Sequence, residues 1–181
     1  MAFWTDATKH DPKRKFRFLV EITGLDNSSI WYAKSITKPQ ITVGTAEHLY
    51  LNHKFYYPGN IEWNEITLDL VDPVEPDAAS QMAQLLVQSG YPSPATPEQP
   101  VTLSKRNATI GALKSVIISQ IDADGGLLEV WTLKNAFITG VNYGDLAYGD
   151  EELTQISVAM RYDWAELKTI TDGRQYWSAS S

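Results

Sequence analysis

The chain contains no cysteine. Disulfides and thiolate zinc sites are therefore excluded, and folding in a reducing cytoplasm is allowed without being required. No apolar run approaches the roughly 18 residues that a membrane-crossing helix needs. The opening MAFWTDATKHDPKRK lacks the continuous apolar core of a secretory signal. Basic residues are in deficit, 15 Lys and Arg against 22 Asp and Glu, for a net charge of −7. That balance argues against a protein that grips nucleic-acid phosphate. It is compatible with a surface past which nucleic acid must slide without sticking.

Local catalytic signatures are missing too. There is no glycine-rich phosphate loop and no nucleophile elbow. Of the three histidines, His48 and His53 stand five apart in an extended region, with no third ligand fixed nearby. A metal site needs about three or four convergent ligands. Asp122-Ala123-Asp124-Gly125-Gly126 resembles the opening of a calcium loop, but Leu133 stands where its closing Glu belongs. A hairpin turn accounts for it better. A Ser/His/Asp triad or a pair of acids would have to assemble in space, and nothing local favours either. The sequence therefore assigns no catalytic, cofactor-binding or metal residue, and an enzyme ranks behind structural and binding roles.

What is present is β pattern. With 181 residues, 43% of them hydrophobic and 20% charged, the chain can bury one sizeable core. It is read as a single domain, 1–181. In 155–162, Ile156, Val158, Met160 and Tyr162 share one parity, while Gln155, Ser157, Ala159 and Arg161 take the other. That period predicts a strand with one buried face. Before it runs a turn-rich acidic loop, with Tyr-Gly-Asp at 143–145 and again at 148–150. Strands are also expected at 16–23, 30–36, 61–71, 115–121, 127–133 and 135–143. The short connection between the first two suggests a hairpin, and 57–60 (YPGN) reads as a turn. Asp77 is a good N-cap for a helix over 78–89, with Met82, Leu85, Leu86 and Ser89 on one stripe and Gly90 as the stop. Four prolines make 91–100 a linker. The tail after 169 is expected to be a loose or attaching segment, and the core to span about 14–166.

Two stretches invite a surface role. A basic cluster, Lys9, His10, Lys13, Arg14, Lys15 and Arg17, precedes the first strand. In an acidic chain it reads as a solvated arm or an inter-subunit charge contact rather than a phosphate patch. The second is 44–60, where Leu49, Tyr50, Leu51, Phe55, Tyr56 and Tyr57 do not alternate cleanly. They belong either to the core or to a partner surface. Trp31, Trp63, Trp131 and Trp164 suit core and interface filling better than the platforms of a carbohydrate-binding module.

The order of these features resembles the tail tube proteins of contractile-tailed bacteriophages. An early strand pair leads through Ile36-Thr37-Lys38-Pro39 and Thr42-Val43-Gly44 to a long extended excursion. A Trp63-containing strand, a Pro-flanked helix and the run WTLKNAFITGVNYGDLAYGDEELTQISVAMRYDW follow. The resemblance implies two packed antiparallel sheets with one helix, similar to secretion-system tube proteins. It also implies hexameric rings that stack into a hollow tube within a contractile sheath, through which double-stranded DNA passes during ejection. Sheath protein, a baseplate initiator and a tail terminator are the implied partners. The place is the virion, with assembly in the host cytoplasm. A tube-initiating or tube-terminating protein of the same fold is the near alternative, and an aromatic-rich carbohydrate-binding module the distant one. For a sixfold ring the net charge would be −42, six times −7. An acidic or neutral channel wall is expected, with Glu65, Asp69, Gln155 and Ser157 as candidates. Residues 44–60 are expected to join stacked rings, mobile before assembly and ordered on docking.

Overall fold

The alternation over 155–161 is a strand, and with Tyr162 just beyond it one face enters the core: Ile156, Val158, Met160 and Tyr162 are all buried. The computed structural model describes residues 12–24, 33–75, 77–91, 102–149 and 151–178. The strands are β1 (Phe18–Ile22), β2 (Ala33–Ile36), β3 (Ile41–Tyr50), β4 (His53–Trp63) and β5 (Ile66–Val71). Helix α1 (Ala78–Gln88) and a π-helical segment, α2 (Asn107–Leu113), come next. They are followed by β6 (Val116–Ile121), β7 (Leu127–Lys134), β8 (Phe137–Asn142), β9 (Gln155–Arg161), β10 (Trp164–Thr169) and β11 (Gln175–Tyr176). Trp31, Lys9 and His10 lie outside the described residues, as do most of the 24–29 turn and of the 91–100 linker.

Two antiparallel sheets pack face to face, as expected. One has the order β1-β6-β7-β10-β11 and the other β2-β5-β9-β8. Every second residue of the inner strands enters the core: Val116, Ile118 and Leu133 from the first sheet, Ile66, Leu68, Leu70, Ile156, Val158 and Met160 from the second. Burying a side chain of this size is worth about 1.5–3 kcal/mol, so these strands supply most of the driving force for folding. Helix α1 closes one end of the core with Ala78, Met82 and Leu85. It starts where Asp77 accepts a hydrogen bond from the Ser80 amide, and Gly90 leaves it at φ +106°. Ala112 and Leu113 of α2 extend the same cover.

Four expectations need correction. β1 and β2 are not a hairpin, because β1 pairs with β6 in one sheet and β2 with β5 in the other. The 57–60 segment is not a turn but part of β4. Its Gly59-Asn60 forms a bulge opposite Gly44, between the Val43–Ile61 and Thr45–Pro58 pairs. A Cβ on Gly59 would lie 3.0 Å from the Gly44 carbonyl oxygen, which explains the glycine. In β8 the parity of Phe137, Thr139 and Val141 breaks at a register shift between Ile138 and Gly140, so Ile138 and Val141 both pack on the core. The segment after Thr169 is also not loose throughout: β11 pairs with β10, Tyr176 opposite Leu167.

Candidate assembly surface

The chain's largest unexplained feature is the hairpin β3–β4. Its strands pair from Ile41–Trp63 to Tyr50–His53 and belong to neither packed sheet. All ten residues of β3 are exposed, as is β4 up to Glu62. The core role open to Leu49, Tyr50, Leu51, Phe55, Tyr56 and Tyr57 is thereby excluded. These side chains are exposed, from 44% for Phe55 to 82% for Leu51.

Register divides them between two faces, since directly paired residues share a face. Tyr50, Phe55 and Tyr57 stand with His48 and His53 on one face. The His53 and Phe55 rings meet edge-on at 5.8 Å. Leu49 and Tyr56 stand on the other, where Lys54 binds Glu47 at 2.8 Å. Nearer the root, Ile41, Val43 and Ile61 add apolar surface that the sequence reading did not single out. Leu51 occupies the two-residue turn at φ +52°. Favoured hairpin turns want φ > 0 at that first position, usually from Gly or Asn. Left-handed backbone costs a residue with a Cβ roughly 1–2 kcal/mol, and here it holds a leucine at the tip of the arm.

The four channel-wall candidates divide three to one. Asp69, Gln155 and Ser157 lie on the solvent face of the second sheet, where Asp69 pairs with Ser157 and Val71 with Gln155. Asp69 accepts hydrogen bonds from Ser35 at 2.5 Å and Ser157 at 2.8 Å. Asn142 continues that row on β8. Glu65 stands apart in the bend before β5 and accepts from the Thr139 hydroxyl.

The hairpin's first leg is tied to a charged node that no local motif announced. Glu129 on β7 is buried, 7% exposed. Its carboxylate binds Lys13, from the basic cluster, and Lys38, three residues before β3. Lys38 also donates to Gln120 at 2.6 Å, and the Gln120 amide donates to the Arg14 carbonyl at 3.1 Å. Burial pushes the Glu129 carboxyl up, but the two ammonium groups outweigh it and hold it below the ordinary carboxylate range. A carboxyl with a lowered folded pKa adds stability above its ordinary value of about 4.5 and loses it as pH falls through the lowered value. The stability difference between wild type and Glu129→Gln should therefore be greatest above about pH 5 and shrink in acid. Urea titrations across that range check this, and a difference independent of pH would contradict it.

Among the described residues no group of three or more His, Cys, Asp or Glu is placed to hold a metal ion. No helix among them is long and apolar enough to cross a membrane.

Two antiparallel sheets, a capping helix and a projecting hairpin give the chain the fold of tail-tube-type proteins. Sequence comparison finds no family and no curated protein that matches it. Solved structures do match. A chain of the structure of the anti-feeding prophage's tube-terminating cap is 19% identical, with 93% of this chain and 99% of that chain covered and a TM-score of 0.65. A chain of the sheath–tube complex of the extracellular contractile injection system PVC, in its extended state, is 16% identical over 94% and 100%, at 0.63. An Hcp protein is 12% identical over 88% and 96%, at 0.50.

Proposed function

We propose that the chain is the structural subunit of a tube, forming hexameric rings that stack within a contractile sheath, as in a phage tail. The observation that carries this reading is the free hairpin. A two-stranded hairpin is marginal in water on its own, and this one presents apolar side chains on both faces. Stacking ring on ring would cover them, with Leu49, Tyr50, Leu51, Phe55, Tyr56 and Tyr57 in the contact. The neighbours in fold support the role, being components of a sheath–tube complex and of a tube cap. Unlike surfaces that meet around a closed rotation make rings, and unlike ends that meet along the axis make an open stack.

The free face of the second sheet suits the channel wall. Its row of Ser35, Asp69, Ser157 and Asn142 is polar, with Gln155 alongside and Arg161 at the far end. The free face of the first sheet instead carries Leu19, Ile117 and Val130. A wall of hydroxyls and carboxylates leaves phosphate ungripped, so double-stranded DNA could pass during ejection. Glu65 would sit at the rim of that wall. Sheath protein, a baseplate initiator and a terminator are the partners this role requires, in a particle assembled in the host cytoplasm. Because a chain found in a tube-terminating cap structure shares the fold, a terminal or initiating ring is the second reading.

Mass photometry and negative-stain microscopy of purified protein test these readings together. Long tubes support the main subunit, and single rings that bind only tube ends support the terminal one. A permanent monomer that binds a glycan array would replace both with a carbohydrate-binding module.

A further inference from the structure

Two surfaces, at the two outer strands of the second sheet, complement each other in charge, and both expose apolar side chains. The first is a groove of about 760 Å³ between the edge strands β1 and β2. Phe16, Phe18, Ile118 and Trp131 supply its apolar lining, and Lys15 and Lys34 add positive charge. Phe16 is 74% exposed, so the apolar lining reaches the mouth. The second surface is the loop between β8 and β9. Leu146 and Tyr148 are almost wholly exposed there, and Leu153 is 70% exposed. Asp145 and Glu152 lie among them in sequence. The loop's root is fixed: Gly144 at φ +80° donates its amide to the Asn142 side chain at 3.1 Å. A Cβ on Gly144 would come within 2.6 Å of the Gln155 carbonyl oxygen, so this backbone path requires glycine.

The topology sets these surfaces apart. β2 and β8 are the outer strands of the four-stranded sheet. Three strand spacings, roughly 14 Å, separate them. The groove opens beside β2 and the loop leaves from β8, which suits contact between neighbours rather than within one chain. We propose that Leu146 and Tyr148 of one copy enter the β1–β2 groove of the next, with Asp145 and Glu152 toward Lys15 and Lys34. This is a head-to-tail contact between unlike surfaces, the kind that closes a ring. It rests on the tube reading and deepens it by naming the lateral interface, leaving the hairpin for the axial one.

The absence of native cysteine makes the contact directly testable. Lys34→Cys and Tyr148→Cys subunits are prepared separately, mixed, and treated with a short bis-maleimide. Covalent dimers should form in the mixture and not in either variant alone. Rings visible by microscopy without mixed cross-links would overturn this contact and leave the tube reading standing. Cross-linked rings that never stack would do the reverse. A chain that stays monomeric at every concentration would overturn both. As an independent arm, Lys15→Glu with Lys34→Glu should weaken ring formation roughly tenfold, an effect expected of paired charges across an interface. Mixing in subunits with Asp145→Lys and Glu152→Lys should recover it. Ring formation unchanged by the lysine reversal would also overturn the contact.

Discussion

Replacing three hairpin aromatics together, Tyr50→Ser, Phe55→Ser and Tyr56→Ser, is expected to leave a folded subunit that builds no tubes. None of the three belongs to the buried core, whose residues come from the two packed sheets, the two helices and short segments beside them. Global stability should therefore change little. The loss falls on association. Each side chain is about half exposed in the lone chain or more, so covering it adds roughly 1–2 kcal/mol per subunit, less than full burial would. The hairpin is already paired along its length, which lowers the ordering cost that docking would otherwise carry. A ring repeats the contact, so a modest loss per subunit multiplies. Circular dichroism should show an unchanged β signal, and microscopy on an initiator template should show single rings or free subunits. Tubes of normal length and stability from this variant would move the stacking contact elsewhere in the chain.

How much of this was legible from residues alone depended on the range of the interaction. β5 and β9 were plain because burial on one side forces a period of two, and Ile66, Leu68 and Leu70 obey it. The helix was plain because its cap and its stop are local: Asp77 bonds to the amide of Ser80, three residues on. The partner of β1 was not. It is β6, about a hundred residues later, and non-local pairing leaves no trace in a short connection. Pro58-Gly59 misled for a different reason. Proline and glycine mark backbone that departs from a regular strand, and a bulge on an edge uses them as readily as a turn does. The true turn holds Leu51 at φ +52°, a residue that turn chemistry does not suggest. The aromatic arm was visible as an anomaly, but its division into two faces required the register. The Glu129 node joins residues 13, 38 and 129, and only the fold brings them together.

The second large effect is expected at the hairpin's other leg, from Trp177→Ala. Trp63 ends β4, and its ring meets the Tyr162 ring at 5.9 Å and the Trp177 ring edge-on at 5.5 Å. Trp177 in turn stacks on Trp131 of β7, at 6.1 Å and 22° between planes. The segment after β11 thus wedges between the first sheet and the root of the arm. Trp177 holds φ +57° to do so. Its removal leaves the packed core intact, because Trp177 is half exposed and lies outside it. Besides its contact with the adjacent Tyr176 ring, the two aromatic pairs that tie this segment to Trp63 and Trp131 disappear, each worth about 0.5–1.5 kcal/mol. If that energy steadies the arm, local opening of 41–63 becomes roughly 5- to 150-fold more frequent, since 1.4 kcal/mol is a factor of ten. Hydrogen exchange should then quicken along β3 and β4 while β5 and β9 stay protected. Tube yield should fall with it, and Trp177→Phe should restore part of both. Exchange along the hairpin that is indifferent to Trp177→Ala would mean that the arm is held by its other anchors, the Trp63–Tyr162 pair and the Glu129 node, without Trp177.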